Sequence, residues 1–389
     1  MITIIQEYIY VDNSSTTKID PIVLSKMVPY LTNNYGNASS VYKLGRISQN
    51  AIMEARTNIA NILNINSDEI YFTASGSESD NMAIKGIANN YSHKGKHIIT
   101  SKIEHSAILN TCKALEEEGF DVTYLEVEKS GIINIEKLKE AIREDTILIS
   151  IMNVNNEIGT IQPVEEVAKI AREKGIVFHT DAVQGIPHFK MDASKFDLLS
   201  LSAHKFNGPK GVGLLYVKKD IKMSPIIFGG QQESGMRAGT ENVAGIVGMS
   251  EALKLTQNEL EVNNKKEKYL RDYLLNKILT EIKGVTINGD MKNRIPGNIN
   301  VSFEGVDTRE LMVFLDMNNI CVSTGSACHS SSKEISHVLK AIGSENTSLR
   351  ITLSKDNTIN EMDRISEVLN ESIRKIRGEE VKTRTIFYN

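Results

Sequence analysis

Phe196-Asp197-Leu198-Leu199-Ser200-Leu201-Ser202-Ala203-His204-Lys205 is an apolar run that ends in small and polar residues and is followed by Gly208-Pro209-Lys210-Gly211. It predicts a short buried strand whose carboxyl end opens into a turn carrying an amine. The same pattern recurs upstream. Strand-like runs at 69–73, 97–100, 122–125, 146–151 and 176–180 alternate with helical stretches at 49–63, 79–89, 105–118, 135–143 and 164–174. This alternation predicts an α/β fold: a mainly parallel, seven-stranded type of sheet covered by helices. In such sheets ligands gather at the carboxyl ends of the strands, and the polar clusters of this chain fall there.

A charged helical stretch over about 247–283 leads onward, and its Asn258, Glu261, Lys265 and Lys268 face reads as solvated. A smaller α+β unit is expected beyond it, with strands at 298–303 and 348–353 and helices at 308–318, 336–342 and 359–377. The expected division is a large ligand-binding domain over 16–255, with 1–15 and 256–389 forming the second domain.

Composition limits the function. The chain has 389 residues, 40% hydrophobic and 24% charged, with a formal net charge of −4. That length suits about two domains. The mild acidity gives no reason to expect direct nucleic-acid binding or attachment to an anionic membrane. No apolar run approaches the roughly 20 residues that span a bilayer. The N-terminal Met1-Ile2-Thr3-Ile4-Ile5-Gln6-Glu7 lacks a basic region and a long apolar region, so export is not expected. The three cysteines, Cys112, Cys321 and Cys328, form no CxxC pair, which predicts a reducing cytoplasm. The eight histidines show no zinc-ligand spacing, and no metal is expected.

Several segments carry chemistry. Ala74-Ser75-Gly76-Ser77-Glu78 is a small-residue turn ahead of a helix, suited to a phosphate through backbone N–H groups and the helix dipole. Alone this is a weak signal, since Ser77 could be a plain N-cap with Glu78 early in the helix. Asp181 ends the strand Ile176-Val177-Phe178-His179-Thr180, where a carboxylate could keep a pyridine nitrogen protonated; capping the next turn is the alternative. Gln184 lies three residues on. Asn155-Asn156-Glu157-Ile158-Gly159 follows another strand, as a donor at the same edge or a turn former. His105 could stack on a ring or merely start a helix.

Lys205 could be an ordinary surface lysine, but its strand-end setting favours an imine-forming amine. Ser323-Thr324-Gly325-Ser326-Ala327-Cys328 has little to bury and should be exposed and mobile, over about 323–335. His329 or Lys333 could lower the pKa of Cys328, whereas Cys112 and Cys321 read as small core residues. Arg350, in Ser348-Leu349-Arg350-Ile351-Thr352-Leu353, could clamp a carboxylate or form a surface ion pair. An imine-forming lysine together with a soft nucleophile points to pyridoxal phosphate chemistry that ends on sulfur.

These segments together resemble the cysteine desulfurases of the class V aminotransferase group, enzymes of the fold type I pyridoxal phosphate architecture. The resemblance covers nearly the whole chain. It runs from Tyr10-Val11-Asp12-Asn13-Ser14-Ser15-Thr16-Thr17 through Glu78-Ser79-Asp80-Asn81, Glu104-His105, Thr180-Asp181-Ala182-Val183-Gln184 and His204-Lys205. It continues in Arg237-Ala238-Gly239-Thr240, Gly325-Ser326-Ala327-Cys328 and Ser336-His337-Val338-Leu339.

The resemblance implies roles. Lys205 would bind pyridoxal 5'-phosphate as an imine and later move the substrate α-proton. His105 would stack on the ring, Asp181 would meet its nitrogen, and Asn156 and Gln184 its phenolic oxygen. Gly76, Ser77, Ser202 and His204 would hold the phosphate, with Thr240 reaching across a homodimer. Arg350, Asn156 and Asn13 would bind the substrate. Cys328 would take sulfur from L-cysteine, leaving alanine and a persulfide for an acceptor protein such as an iron–sulfur scaffold or sulfur carrier. Rival readings are a selenocysteine lyase, another enzyme of the same group, or a non-catalytic sulfur-transfer scaffold. Ala38, Tyr42, Ser234, Ile335 and Ser354-Lys355 depart from the usual family residues and bear on partner choice.

Overall fold

The structure is a computed structural model that describes residues 8–325 and 335–379. The chain divides into two compact units. The larger comprises Thr16–Asn156 and Thr160–Leu260; the smaller comprises Met1–Ser15, Glu157–Gly159 and Glu261–Asn389.

In chain order the strands are β1 Ile9–Tyr10, β2 Ile70–Thr73, β3 His97–Ser101, β4 Asp121–Leu125, β5 Thr146–Ser150, β6 Val177–Asp181, β7 Leu198–Ser202 and β8 Gly213–Val217. They continue with β9 Val285–Ile287, β10 Asn298–Phe303, β11 Ile320–Cys321, β12 Ser323–Thr324 and β13 Leu349–Thr352. The helices are α1 Pro21–Thr32, α2 Lys43–Leu63, α3 Gly76–Tyr91, α4 Ser106–Glu117, α5 Ile135–Ala141, α6 Val164–Glu173, α7 Val243–Glu281, α8 Thr308–Met317, α9 His337–Ala341 and α10 Ile359–Ile376.

The larger unit holds the expected seven-stranded sheet, in the order β2-β8-β7-β6-β5-β3-β4. All neighbours are parallel except β8, which runs against both β2 and β7. Alternation explains why it is buried on both faces. Leu148, Val177, Leu198 and Leu215 enter one core with Ile84 and Ile87 of α3 and Ile108 and Leu115 of α4. Their immediate neighbours Ile149, Phe178, Leu199 and Leu214 enter the other, with Ile59 of α2, Val167 of α6 and Leu253 of α7. Deleting the fully buried Phe178 ring should cost about 3–5 kcal/mol.

Differences from the sequence reading have local causes. α1 carries two prolines and buries only Val23 and Met27, so its helical signal is faint. Ser75, not Ser77, caps α3: its Oγ accepts the Glu78 N–H at 3.2 Å, and Ser77 lies inside the first turn. The helical face of Asn258, Glu261, Lys265 and Lys268 is exposed, as expected.

In the smaller unit β12-β13-β10-β9 form an antiparallel sheet and β1 pairs in parallel with β11. Its core gathers Ile299 and Val301 of β10, Leu349 and Ile351 of β13, Leu311 and Leu315 of α8, and Ile365 and Leu369 of α10. α10 begins with a capping box between Thr358 and Glu361, which satisfies its first donors reciprocally. Among the described residues no helix is long and apolar enough to cross a membrane.

Candidate active site

Because β2, β3, β5, β6 and β7 point the same way, the segments that follow them meet at one edge of the sheet. There the larger unit collects Gly76, Ser77, His105, Asn156, Asp181, Gln184, Ser202, His204 and Lys205. A Cβ on Gly76 would lie 2.9 Å from Val183 Cγ2 and 3.4 Å from Ser202 Cβ, so the first turn of α3 touches the ends of both β6 and β7. The glycine makes that approach possible.

Lys205 ends a 3-10 turn, Ala203–Lys205, directly after β7, and is half-buried. Its turn is tied down on both sides. Thr17 N–H and Thr17 Oγ1 both donate to the His204 carbonyl at 2.9 Å, and Asn207 N–H donates to Thr17 Oγ1 at 2.8 Å. Asn207 holds a left-handed φ of 60°, a conformation Asn tolerates. His204 Nδ1 lies 3.1 Å from Thr16 Oγ1, and burial next to Lys205 and Lys210 pushes its pKa down to about 4. The imidazole is therefore neutral at pH 7 and has one N–H to offer.

Asp181 lies at the end of β6 and is 7% exposed. Its Oδ1 accepts the Val183 N–H at 2.9 Å, and no other hydrogen bond reaches it among the described residues. Burial raises its pKa, while His105 and Lys205 pull it back down. His105 is the N-cap of α4, with Nδ1 accepting the Ala107 N–H at 3.2 Å, which leaves Nε2 as the nitrogen able to donate. The turn-forming and helix-starting alternatives for these two residues are thus also realised. Each side chain serves the backbone and still belongs to the cluster.

Beneath Asp181, on the same face of β6, lies a polar layer the sequence reading did not anticipate. His179 Nδ1 meets Ser150 Oγ at 2.9 Å and Nε2 meets Ser200 Oγ at 2.9 Å. Asp80 Oδ1 stands 3.8 Å from His179 Nε2. This is not an ion pair: burial lowers the His179 pKa to about 3, and burial together with Asp181 raises that of Asp80. The His179 ring is therefore neutral at pH 7, and the two carboxyls disfavour each other's ionisation. Glu104 is likewise buried, and burial raises its pKa to about 8. It accepts from Ser101 Oγ at 2.6 Å and from the Met152 N–H at 3.0 Å. The signal for this layer was present in the alternation of Val177, His179 and Asp181 along one strand face.

Arg237 Nε donates to Glu78 Oε1 at 2.8 Å, while Glu78 Oε2 accepts the Ala74 N–H at 3.0 Å, tying the segment before Thr240 to the first turn of α3. Thr240 itself is exposed.

The smaller unit holds a second cluster. Arg350 is 2% exposed, which overturns the surface-pair reading. Its Nη2 donates to Asp12 Oδ1 at 2.8 Å and to Ser15 Oγ at 2.7 Å, and its Nη1 to the Gly325 carbonyl at 3.3 Å. Asn13 Nδ2 donates to the Thr352 carbonyl at 2.8 Å, two residues along the same strand. Cys328 and His329 lie outside the described residues. Cys112 is fully buried with its thiol pKa pushed up to about 12, whereas Cys321 is only half-buried, so the core reading holds for the first alone.

The larger unit's residues fit a phosphate-bearing pyridine in three respects. A buried carboxylate keeps one oxygen without a protein donor. A glycine-lined helix N-terminus lies beside it. A half-buried lysine stands within electrostatic reach of that carboxylate.

Comparison with known proteins agrees. The family model "Aminotransferase class-V" matches residues 9–365. "Cysteine desulfurase IscS" of Methanosarcina thermophila is 50% identical over 376 residues, covering 95% of this chain and 93% of the relative. The protein of the same name from Dictyoglomus turgidum is 48% identical, covering 95% of each. Among solved structures, "NIFS-LIKE PROTEIN" superposes with a TM-score of 0.89 at 36% identity, over 95% of this chain and 100% of that one. "SspA in complex with cysteine" gives 0.79 at 39% identity, over 88% and 98%.

Proposed function

We propose, for a chain that belongs to the class-V aminotransferase family and is a cysteine desulfurase, that Lys205 and Asp181 hold pyridoxal 5'-phosphate and that Cys328 receives the sulfur of L-cysteine. The observation that carries the reading is the Asp181 carboxylate, buried with a single hydrogen bond among the described residues and within electrostatic reach of Lys205 and His105.

When bound, the cofactor supplies an imine-forming aldehyde and an electron sink for charge that develops at the substrate α-carbon. Asp181 would face the ring nitrogen and favour its protonated form, above a His179 that burial keeps neutral. Gly76 and Ser77 offer N–H groups to the phosphate, Ser202 a hydroxyl and His204 its remaining N–H. Thr240 of the partner subunit completes that set. Asn156 and Gln184 donate to the phenolic oxygen. His105 would stack on the ring and assist proton movement through Nε2.

Lys205 would hold the cofactor aldehyde and, as an amine, take and move the substrate α-proton. Arg350 binds the substrate carboxylate, with Asn13 and Asn156 orienting the bound amino acid. The Cys328 thiolate then forms an S–S bond to the substrate sulfur as the Cβ–S bond breaks. The electron pair of that bond stays on Cβ, which takes up a proton to give alanine, and Cys328 carries the persulfide. An acceptor protein, such as an iron–sulfur scaffold or sulfur carrier in the cytoplasm, collects it.

A homodimer is supported by the exposed apolar side chains of Ile22, Leu24, Val28 and Leu31 along α1, with Tyr35 and Val41 beyond its end. The test is spectroscopic. Wild-type protein purifies yellow, and Lys205→Ala loses the visible band while its far-ultraviolet circular dichroism stays unchanged. An unaltered visible spectrum in Lys205→Ala contradicts the assignment.

A further inference from the structure

Gly325 precedes and Ser336 follows the stretch that contains Cys328, and both meet one carboxylate. Ser336 Oγ donates to Glu157 Oε2 at 2.6 Å. A Cβ built on Gly325 would lie 2.2 Å from that same oxygen, so only glycine lets the chain pass so close. Glu157 is itself held firmly. It is 1% exposed, and its carbonyl accepts from Asn298 Nδ2 at 3.1 Å and Asn300 Nδ2 at 3.2 Å, both on β10.

The two flanking residues have further ties. The Gly325 carbonyl accepts from Arg350 Nη1 at 3.3 Å, and Ser336 Oγ caps α9 by accepting the Leu339 N–H at 3.1 Å. One buried side chain therefore fixes where the chain leaves β12 and where it rejoins α9. Fixing both ends of the intervening 326–335 segment sets the separation its residues must span, and with it the encounter frequency of any group they carry.

We propose that Glu157 is a positioning residue for the sulfur-transfer step, acting through the two bases of the Cys328 segment. This rests on Cys328 being the nucleophile. Glu157 touches neither substrate nor cofactor in this role. Its removal should slow delivery of the thiol and leave earlier proton chemistry alone.

Two reactions of the same holoenzyme separate these effects. Exchange of the L-alanine α-proton in D2O needs Lys205 and the cofactor but no thiol. Single-turnover persulfide formation from L-cysteine needs both. Glu157→Ala is expected to slow the second about tenfold or more and to leave the first within about twofold, since small misplacements of a reacting group carry penalties of that order. Glu157→Gln, which keeps the volume and an acceptor for Ser336, should regain most of the rate. Adding Ser336→Ala to Glu157→Ala should cost little more, because the contact is already gone.

Should Glu157→Ala not yield folded holoenzyme, Gly325→Ala carries the same expectation, since its methyl group would displace the carboxylate. Equal loss in both reactions, no loss in persulfide formation, or a Gln variant as slow as the Ala variant each overturns the proposal. Cys328→Ser is the separate control: if it still makes alanine from cysteine, the nucleophile assignment fails, whatever Glu157 does.

Discussion

The Arg350 guanidinium donates to the Asp12 carboxylate at 2.8 Å inside the smaller unit, so this buried cation meets an anion of its own chain. The Arg350 side chain is 2% exposed and that of Asp12 17%. Two duties then fall on one side chain: holding the start of the chain in place and, in the function proposed above, recognising a substrate carboxylate. Mutation separates them.

Arg350→Lys keeps the charge but loses the planar fork, and KM for cysteine should rise about tenfold or more with a smaller change in kcat. Arg350→Ala also strands Asp12. Loss of one partner of a buried pair costs about 3–5 kcal/mol, and the partial exposure of Asp12 places this case at the low end. Chemical denaturation should show stability recovering in Arg350→Ala/Asp12→Ala, with cysteine affinity still lost. An unchanged KM in Arg350→Lys would confine the residue to its structural duty.

Gly76→Ala should part stability from cofactor binding. Alanine favours a helix over glycine by about 1 kcal/mol, which offsets part of the strain of the added methyl group, so the apoprotein should melt close to or slightly below wild type. The added methyl group lies 2.9 Å from Val183 Cγ2 and intrudes where the phosphate is assigned. Equilibrium dialysis should find pyridoxal 5'-phosphate held more weakly, by about tenfold, the cost of roughly 1.4 kcal/mol. Unweakened binding would move the phosphate elsewhere.

Glu104 gives the protein a pH signature. Burial raises its pKa from 4.5 to about 8, so between those values the folded state binds more protons than the unfolded state. Stability contributed by the protonated form is full below the unfolded value and falls as pH rises toward the folded one. Thermal melting between pH 5 and 8 should therefore fall more steeply in wild type than in Glu104→Gln. The variant should melt several degrees higher at pH 8. Parallel curves would mean Glu104 titrates normally.

Much of this architecture was legible because β-strand alternation and helix periodicity are local signals. Leu198 to Ser202 announced a buried strand, and Lys205 followed where such strands present ligands. What escaped was non-local. Glu157 stands in a loop motif whose asparagines draw attention, yet it meets Ser336, 179 positions away, and Gly325. The raised pKa of Asp80 comes from burial and from Asp181 beside it, which no window of sequence encodes. The capping serine was misplaced by two positions because Ser75 and Ser77 flank Gly76 identically, and only backbone geometry chooses between them.

Peptide mass spectrometry after a single turnover with L-cysteine tests the central assignment most directly. One added sulfur atom on the peptide containing Cys328, with alanine formed in equal amount, is the expected result, and both should vanish in Cys328→Ser. Added sulfur on Cys112 or Cys321 instead, or undiminished alanine from Cys328→Ser, would contradict it.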